Sequence, residues 1–273
     1  MVSNSVKDDM RFEFGENWGH FVANLTDTQI QEAENSLRSM LDLESLAGKR
    51  FLDIGTGSGL FSLAAMRLGA SHVHSFDYDI FSVNCAKELR RRYFPDSKNW
   101  IVEQGDALDE SYIRSLGKFD IVYSWGVLHH TGHLQSGMRN ALLPIKKNGK
   151  LFIAIYNDQG QLSSFWATIK RTYNTLSPPW RFLVLYPSFV LIFAMKIAGD
   201  ILRGRASSFW RNYSRQRGMS AWRDVVDWVG GYPFEVAKPD DIVEFHLSRG
   251  LELRRLKTVG CGHGCNEFVF QKG

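Results

Sequence analysis

At 273 residues, with 44% hydrophobic and 23% charged residues, the chain is long enough to bury a sizeable core and reads as one enzyme-sized domain carrying an insertion. Its 33 basic and 29 acidic residues leave a formal charge of only +4, mixed along the chain, so there is no polyelectrolyte tail and no nucleic-acid partner is expected. Cys85, Cys261 and Cys265 are too few and too uneven for a disulfide framework, and Met1 to Met10 lacks the apolar run of a secretory signal, which together lead us to expect a cytoplasmic location.

Residues 1–44 read as a segment of their own character. Arg11 to Trp18 is aromatic and charged without a period, and a helix over Thr28 to Leu43 places Ile30, Ala33, Leu37, Met40 and Leu41 at three- and four-residue spacings. Phe14, Trp18 and Phe21 are candidates for folding over a ligand; the competing reading is an ordinary helix on a sheet edge.

Phe51 to Ile54 is an apolar strand that runs into Gly55-Thr56-Gly57-Ser58-Gly59 and then into a helix over Leu60 to Leu68. Glycines without Cβ atoms allow a sharp turn, positive φ and close approach of a ligand. The third glycine comes one residue early for the dinucleotide pattern G-x-G-x-x-G. A second strand, His72 to Phe76, ends in Asp77, where a carboxylate about twenty residues past the turn is placed to accept ribose hydroxyls. Tyr78 follows, beside the place an adenine would stack. Trp100 to Glu103 forms a third strand ahead of Gln104-Gly105-Asp106-Ala107. Phe119 to Ser124 forms a fourth, ahead of Trp125-Gly126-Val127-Leu128-His129-His130. After a helix and a Lys147-Asn148-Gly149 turn, Lys150 to Tyr156 supplies a fifth.

In this order these stretches resemble the class I S-adenosylmethionine-dependent methyltransferases, over roughly residues 45–157 and the C-terminal strands. The resemblance implies an α/β fold: a doubly wound, seven-stranded, mostly parallel Rossmann-like sheet with an N-terminal helical lid and a helical insertion after strand five. It implies S-adenosylmethionine as cofactor, with Asp53 near its amino-acid part, Gly55, Thr56, Gly57 and Gly59 beneath it, Asp77 and Tyr78 at ribose and adenine, and Asp106 and Ala107 on the adenine side. The segment after strand four lines the methyl-transfer site in this family. Trp18, Trp125 and Tyr156 are candidates to face the sulfonium through their π-systems.

Four segments follow from this reading: a lid over 1–44, a cofactor-binding core over 45–157, a substrate cap over 158–237, and a C-terminal helix and strands over 238–273 that complete the sheet. Within the insertion, Phe182 to Met195 carries no charge and is followed by Lys196, Arg203, Arg205, Arg211, Arg215 and Arg217 with only Asp200 opposing them. A membrane-crossing helix needs about twenty apolar residues. This shorter run, broken by Pro187, leaves three readings open: a buried cap or homo-oligomer contact, a peripheral in-plane membrane contact, or a tunnel for a greasy substrate. The arginines are either a solvated helix face or a recogniser of anionic headgroups.

Trp222 to Glu235 reads as a pocket-lining loop, with Asp224, Trp228 and Glu235 toward substrate; the alternative is a structural turn in which aspartates cap amides. Its Gly-Gly-x-Pro turn resembles bacterial small-molecule methyltransferases of the quinone-methylase type. Lys238-Pro239-Asp240-Asp241 starts a helix, with Leu251 to Lys257 and Glu267 to Gln271 as the closing strands. Cys261-Gly262-His263-Gly264-Cys265 lacks the four ligands of a structural zinc site and reads as a hairpin, so no metal is expected.

Methyl transfer from a sulfonium is an in-line displacement that alignment and desolvation largely accomplish. A hydroxyl or acidic-carbon acceptor also needs a base. His129 and His130 are the first candidates, and Asp158, Asp224, Glu235 and Glu267 are carboxylate alternatives. Phe14, Tyr156 and Asp158 join the substrate-side candidates. The expected function is methylation, at carbon or oxygen, of a small or lipid-like metabolite, including prenyl or phosphate-bearing ones. The alternative is a cyclase, or a membrane-associated binding module that binds S-adenosylmethionine without net methyl transfer.

Overall fold

The computed structural model describes residues 15–202, 221–260, 262 and 264–273. Phe14, the Arg203 to Arg217 run, Cys261 and His263 lie outside the described residues, as does the Met1 to Met10 segment. Asp224 lies within a described helix, but its side chain lies outside what is described.

One compact unit comprises Glu13–Gly160 and Glu235–Gly273. Its seven-stranded sheet consists of β1 (Arg50–Ile54), β2 (His72–Asp77), β3 (Trp100–Gln104), β4 (Phe119–Trp125), β5 (Ile145–Tyr156), β6 (Leu251–Lys257) and β7 (Cys265–Lys272), in the order β3-β2-β1-β4-β5-β7-β6. The first five strands pair with one another in parallel, and β7 runs antiparallel to both β5 and β6. The helices are α1 (Gly15–Ala23), α2 (Asp27–Leu41), α3 (Leu60–Arg67), α4 (Ile80–Tyr93), α5 (Glu110–Ser115), α6 (Leu134–Leu142) and, after the sheet's fifth strand and the second unit, Pro239–Leu247.

Strand alternation divides the core. Leu52, Ile54, Val122, Leu151, Ile153, Phe268 and Phe270 point to the face covered by α5, α6 and the Pro239–Leu247 helix. On the other face Phe51, Phe61, Tyr123 and Phe152 form a run of ring contacts with centroids 4.9–5.8 Å apart. Crossovers carry the chain outward from β1 to β3 and then back past β1 to β4, so the strand order reverses between β1 and β4. Crevices at such reversals, beyond the carboxyl ends of the strands, are where open α/β sheets bind ligands.

Local sequence explains the helix entries. Thr26 caps α2 in a reciprocal box with Gln29, and the Asp79 and Asp109 side chains cap α4 and α5 through the amides of Phe81 and Tyr112. The fifth strand begins earlier than the sequence reading placed it. Lys147-Asn148-Gly149 is not a turn before the strand but an irregularity inside it: pairing passes from Phe119↔Ile145 directly to Ile121↔Lys150, with Asn148 at φ 60°. Asp120, opposite this bulge, accepts from Lys146 Nζ at 3.0 Å and from the Arg50 amide at 2.7 Å, which ties the extra residues down.

The second unit spans Gln161–Phe234 among the described residues. It holds α7 (Gln161–Thr175), α8 (Phe182–Leu202) and α9 (Ala221–Gly230); the Pro239–Leu247 helix of the sheet unit is then α10. The stretch read as a loop from Trp222 onward is therefore a helix up to Gly230, because Val225, Trp228 and Val229 at three- and four-residue spacing supply an apolar stripe. That stripe packs with Trp166, Tyr173, Leu185 and Phe193. No described helix is long and apolar enough to cross a membrane.

Candidate active site

The turn from β1 to α3 is shaped by its glycines. Gly55, Gly57 and Gly59 have φ of 73°, 54° and 84°, a region that L side chains avoid. Space is short as well. A Cβ on Gly55 would fall 2.3 Å from Val127 Cγ1, one on Gly59 2.8 Å from Ala86 Cα, and one on Gly57 3.2 Å from the Trp18 indole. Thus α1 brings Trp18 directly onto the turn, and its position is held by an edge contact with Phe21 and by Arg92 Nη1, which donates to the Val22 carbonyl at 2.9 Å.

Asp53 lies beneath the turn, only 2% exposed. Its Oδ2 accepts from Ser62 Oγ at 2.6 Å and Thr56 Oγ1 at 2.9 Å. Burial lifts its pKa to about 6, against the lowering effect of those two hydroxyls. The carboxylate therefore braces the turn from inside. Ser62, which also meets Ser75 Oγ at 2.6 Å, carries no sequence signal that marks it; only the helix-to-strand packing reveals it.

Asp77 ends β2 at the same edge. Its Oδ2 accepts the Gly57 amide at 2.9 Å and its Oδ1 the Asp79 amide at 3.0 Å. Tyr78 beside it is exposed, and its carbonyl accepts from Gln104 Nε2 at 2.9 Å, which joins the ends of β2 and β3. Asp106 turns its Oδ1 to the Leu108 amide, and the Ala107 carbonyl accepts from buried Asn140. Asp77, Tyr78, Asp106 and Ala107 thus follow adjacent strands β2 and β3, next to the glycine turn.

At the end of β4, Trp125 is exposed, and beyond it Gly126 takes φ 76° and a 3-10 turn over Leu128–His130 follows. The two histidines differ. His129 is fully buried, its Nδ1 accepts the Tyr156 amide at 3.3 Å, and its ring lies 3.9 Å from that of Tyr156. With no exposed surface and its Nδ1 engaged by a backbone amide, His129 is held within the framework in this structure. His130 is half-buried, edge-on to Tyr156 at 5.4 Å.

Three of the carboxylate alternatives make contacts within the framework. Glu235 binds the Leu134 amide with both oxygens, at 3.0 and 3.1 Å, and so sits at the amino end of α6; burial pushes its pKa up. Asp158 Oδ1 accepts the Gly160 amide at 2.8 Å. Glu267, on β7, pairs with Lys257 at 3.3 Å on the neighbouring strand. Asn266, which sequence reasoning passed over, links Asn157 Oδ1 and the Val259 amide, closing the loop between β6 and β7 onto the end of β5.

Trp228 belongs to the helical unit. Its ring lies 4.1 Å from Lys170 Nζ, which also sits 4.8 Å from the Phe234 ring and donates to the Trp228 carbonyl. Lys170 has no exposed surface, and burial drops its pKa to about 7.

Comparison with known proteins agrees with this architecture. Residues 45–192 match the family described as a methyltransferase domain. A ribosomal protein L11 methyltransferase of Prochlorococcus marinus is 35% identical over 44% of this chain and 39% of its own length, and a ubiquinone biosynthesis O-methyltransferase of Pelagibacter ubique is 26% identical over 49% of each. The chain thus spans under half the length of these curated relatives. Among solved structures, magnesium protoporphyrin IX methyltransferase of Synechocystis PCC 6803 with bound S-adenosylmethionine superposes with a TM-score of 0.57 at 12% identity, covering 99% of this chain and all of that one. An S-adenosylmethionine-dependent methyltransferase of Mesorhizobium loti gives 0.52 at 14% identity over 88% and 98%. At such identities these likenesses establish the fold.

Proposed function

The chain belongs to the methyltransferase-domain family, and so to the class I S-adenosylmethionine-dependent methyltransferases, and from that premise we propose that it transfers a methyl group from S-adenosylmethionine to a small, apolar, hydroxyl- or carbon-acid-bearing metabolite. The observation that carries the reading is the pairing of the Cβ-free turn with Asp77, whose carboxylate already holds the Gly57 amide.

The residues present fit that cofactor. The glycine turn presents backbone without Cβ atoms at positive φ, and the Asp77 carboxylate beside it is the kind of group that accepts ribose hydroxyls. Tyr78 and the Asp106-Ala107 loop would hold the adenine side. Bound there, S-adenosylmethionine supplies an activated methyl on a sulfonium and departs as a neutral thioether. Trp18 lies on the turn and excludes water from it. Trp125 and Tyr156, at the ends of β4 and β5, offer aromatic faces to a cation or a flat acceptor. His130 would take the acceptor's proton, with a reference pKa near neutrality.

The acceptor class is drawn from this aromatic edge and from the likeness to the ubiquinone-pathway enzyme. The likeness to the L11 methyltransferase favours a second reading, a protein acceptor. Incubation with methyl-labelled S-adenosylmethionine and a cell extract separates them: label in the organic phase or in soluble metabolites supports the first, and label in precipitated protein supports the second. Cofactor consumption without any labelled acceptor would sink both.

A further inference from the structure

We propose that the helical unit docks in-plane on anionic phospholipid bilayers through one exposed face of α8. The face consists of Phe182, Leu183, Tyr186 and Val190, spaced by one, four and eight residues and so on one side of the helix, with Trp180 before it and Trp222 beside it. Tyr186 is 59% and Val190 62% exposed, whereas Leu185 and Phe193 are buried in the unit's own core. Trp222 joins the face through ring contacts of 5.3 Å with Tyr186 and 5.6 Å with Phe189. A contiguous exposed apolar surface of this kind marks an interaction site.

Charge selects the occupant. Between Gln161 and Phe234 the sequence has, besides the buried Lys170, nine Lys and Arg against three Asp and no Glu, a surplus of six. Two copies meeting through this unit would bring equal positive surpluses together. An anionic lipid surface instead accepts the apolar face and attracts a unit of this net charge. Composition agrees, since Trp180, Tyr186 and Trp222 are the residue types that settle at the boundary between headgroups and acyl chains. The unit has no described helix able to cross the bilayer, so contact is in-plane.

The full chain is tested by co-sedimentation with vesicles of phosphatidylglycerol and phosphatidylcholine and with vesicles of phosphatidylcholine alone, at low and high salt. The variants are Val190→Glu and Tyr186→Glu, both at exposed positions, with circular dichroism melting as the check that each still folds. The expected result is binding to the anionic vesicles about tenfold stronger than to neutral ones, weakening with salt, and a further loss of about tenfold in each folded variant. Equal binding to both vesicle types, no binding to either, or a dimer in sedimentation velocity that Val190→Glu dissociates would overturn the proposal.

Discussion

Asp77 and Gly57 are joined across twenty residues of sequence by a 2.9 Å hydrogen bond from the Gly57 amide to the Asp77 carboxylate. The acid proposed to hold the ribose therefore also fixes the turn proposed to hold the rest of the cofactor. Asp77→Ala removes both, and a charge-assisted hydrogen bond is worth about 1.5–3 kcal/mol. We expect adenosylhomocysteine affinity to fall by roughly 10- to 100-fold in calorimetry; an unchanged affinity would falsify the assignment.

Gly57→Val tests the turn from the other side. At φ 54° a Cβ costs about 1–2 kcal/mol of backbone strain, and since that Cβ alone would lie 3.2 Å from the Trp18 indole, a branched side chain also displaces Trp18. The expected outcome is loss of cofactor binding with a shift in tryptophan emission. Retained binding with unaltered emission contradicts the packing of Trp18 on the turn.

His129 and His130 should separate into two phenotypes. His129→Ala opens a cavity and orphans the Tyr156 amide, with an expected loss of about 2–4 kcal/mol in stability. His130→Ala should leave the melting temperature nearly unchanged and slow turnover by roughly 10²- to 10⁴-fold. Normal turnover in a folded His130→Ala protein removes it as the base.

The buried Asp53 gives a pH signature. Its folded pKa of about 6 lies above the ordinary 3.8, so the folded state holds the proton more tightly than the unfolded one. Stability from this group is greatest below pH 4 and falls as pH rises through 6, by roughly 2–3 kcal/mol in all. Asp53→Asn should flatten that slope in melts between pH 4 and 8. A variant with the wild-type slope shows that another group causes it.

Lys170 acts in the opposite range. Its folded pKa of about 7 lies below the ordinary 10.5, so the unfolded state binds more protons between these values and stability rises with pH across them. The bond to the Trp228 carbonyl and the two aromatic rings favour the charged form and moderate the effect, leaving a rise of roughly 1–3 kcal/mol. Lys170→Met, of similar length, should be more stable than wild type near neutrality and lose the rise. Equal pH dependence in both proteins rules the lysine out as its source.

What the sequence by itself determined is the part of the fold written in short-range terms. Alternating strands and helices, the three glycines after Ile54, and the acid ending the second strand are all local patterns, because backbone sterics and helix capping depend on neighbours in the chain. The glycine turn and Asp77 were therefore legible, as was the sheet, apart from the bulge at Lys146–Gly149, which Asp120 on another strand holds in place. Only the tertiary structure decided which polar groups are buried and by what. His129 and His130 are adjacent in sequence and chemically identical, yet one lies beneath Tyr156 and the other is half-buried. The hydroxyls of Ser62 and Thr56 meet Asp53 only in the fold, and Trp222 to Gly230 reads as a loop until the cluster around Trp166 and Leu185 gives its apolar stripe a partner. Desolvation and packing are properties of what surrounds a residue in space, and no run of adjacent residues contains them.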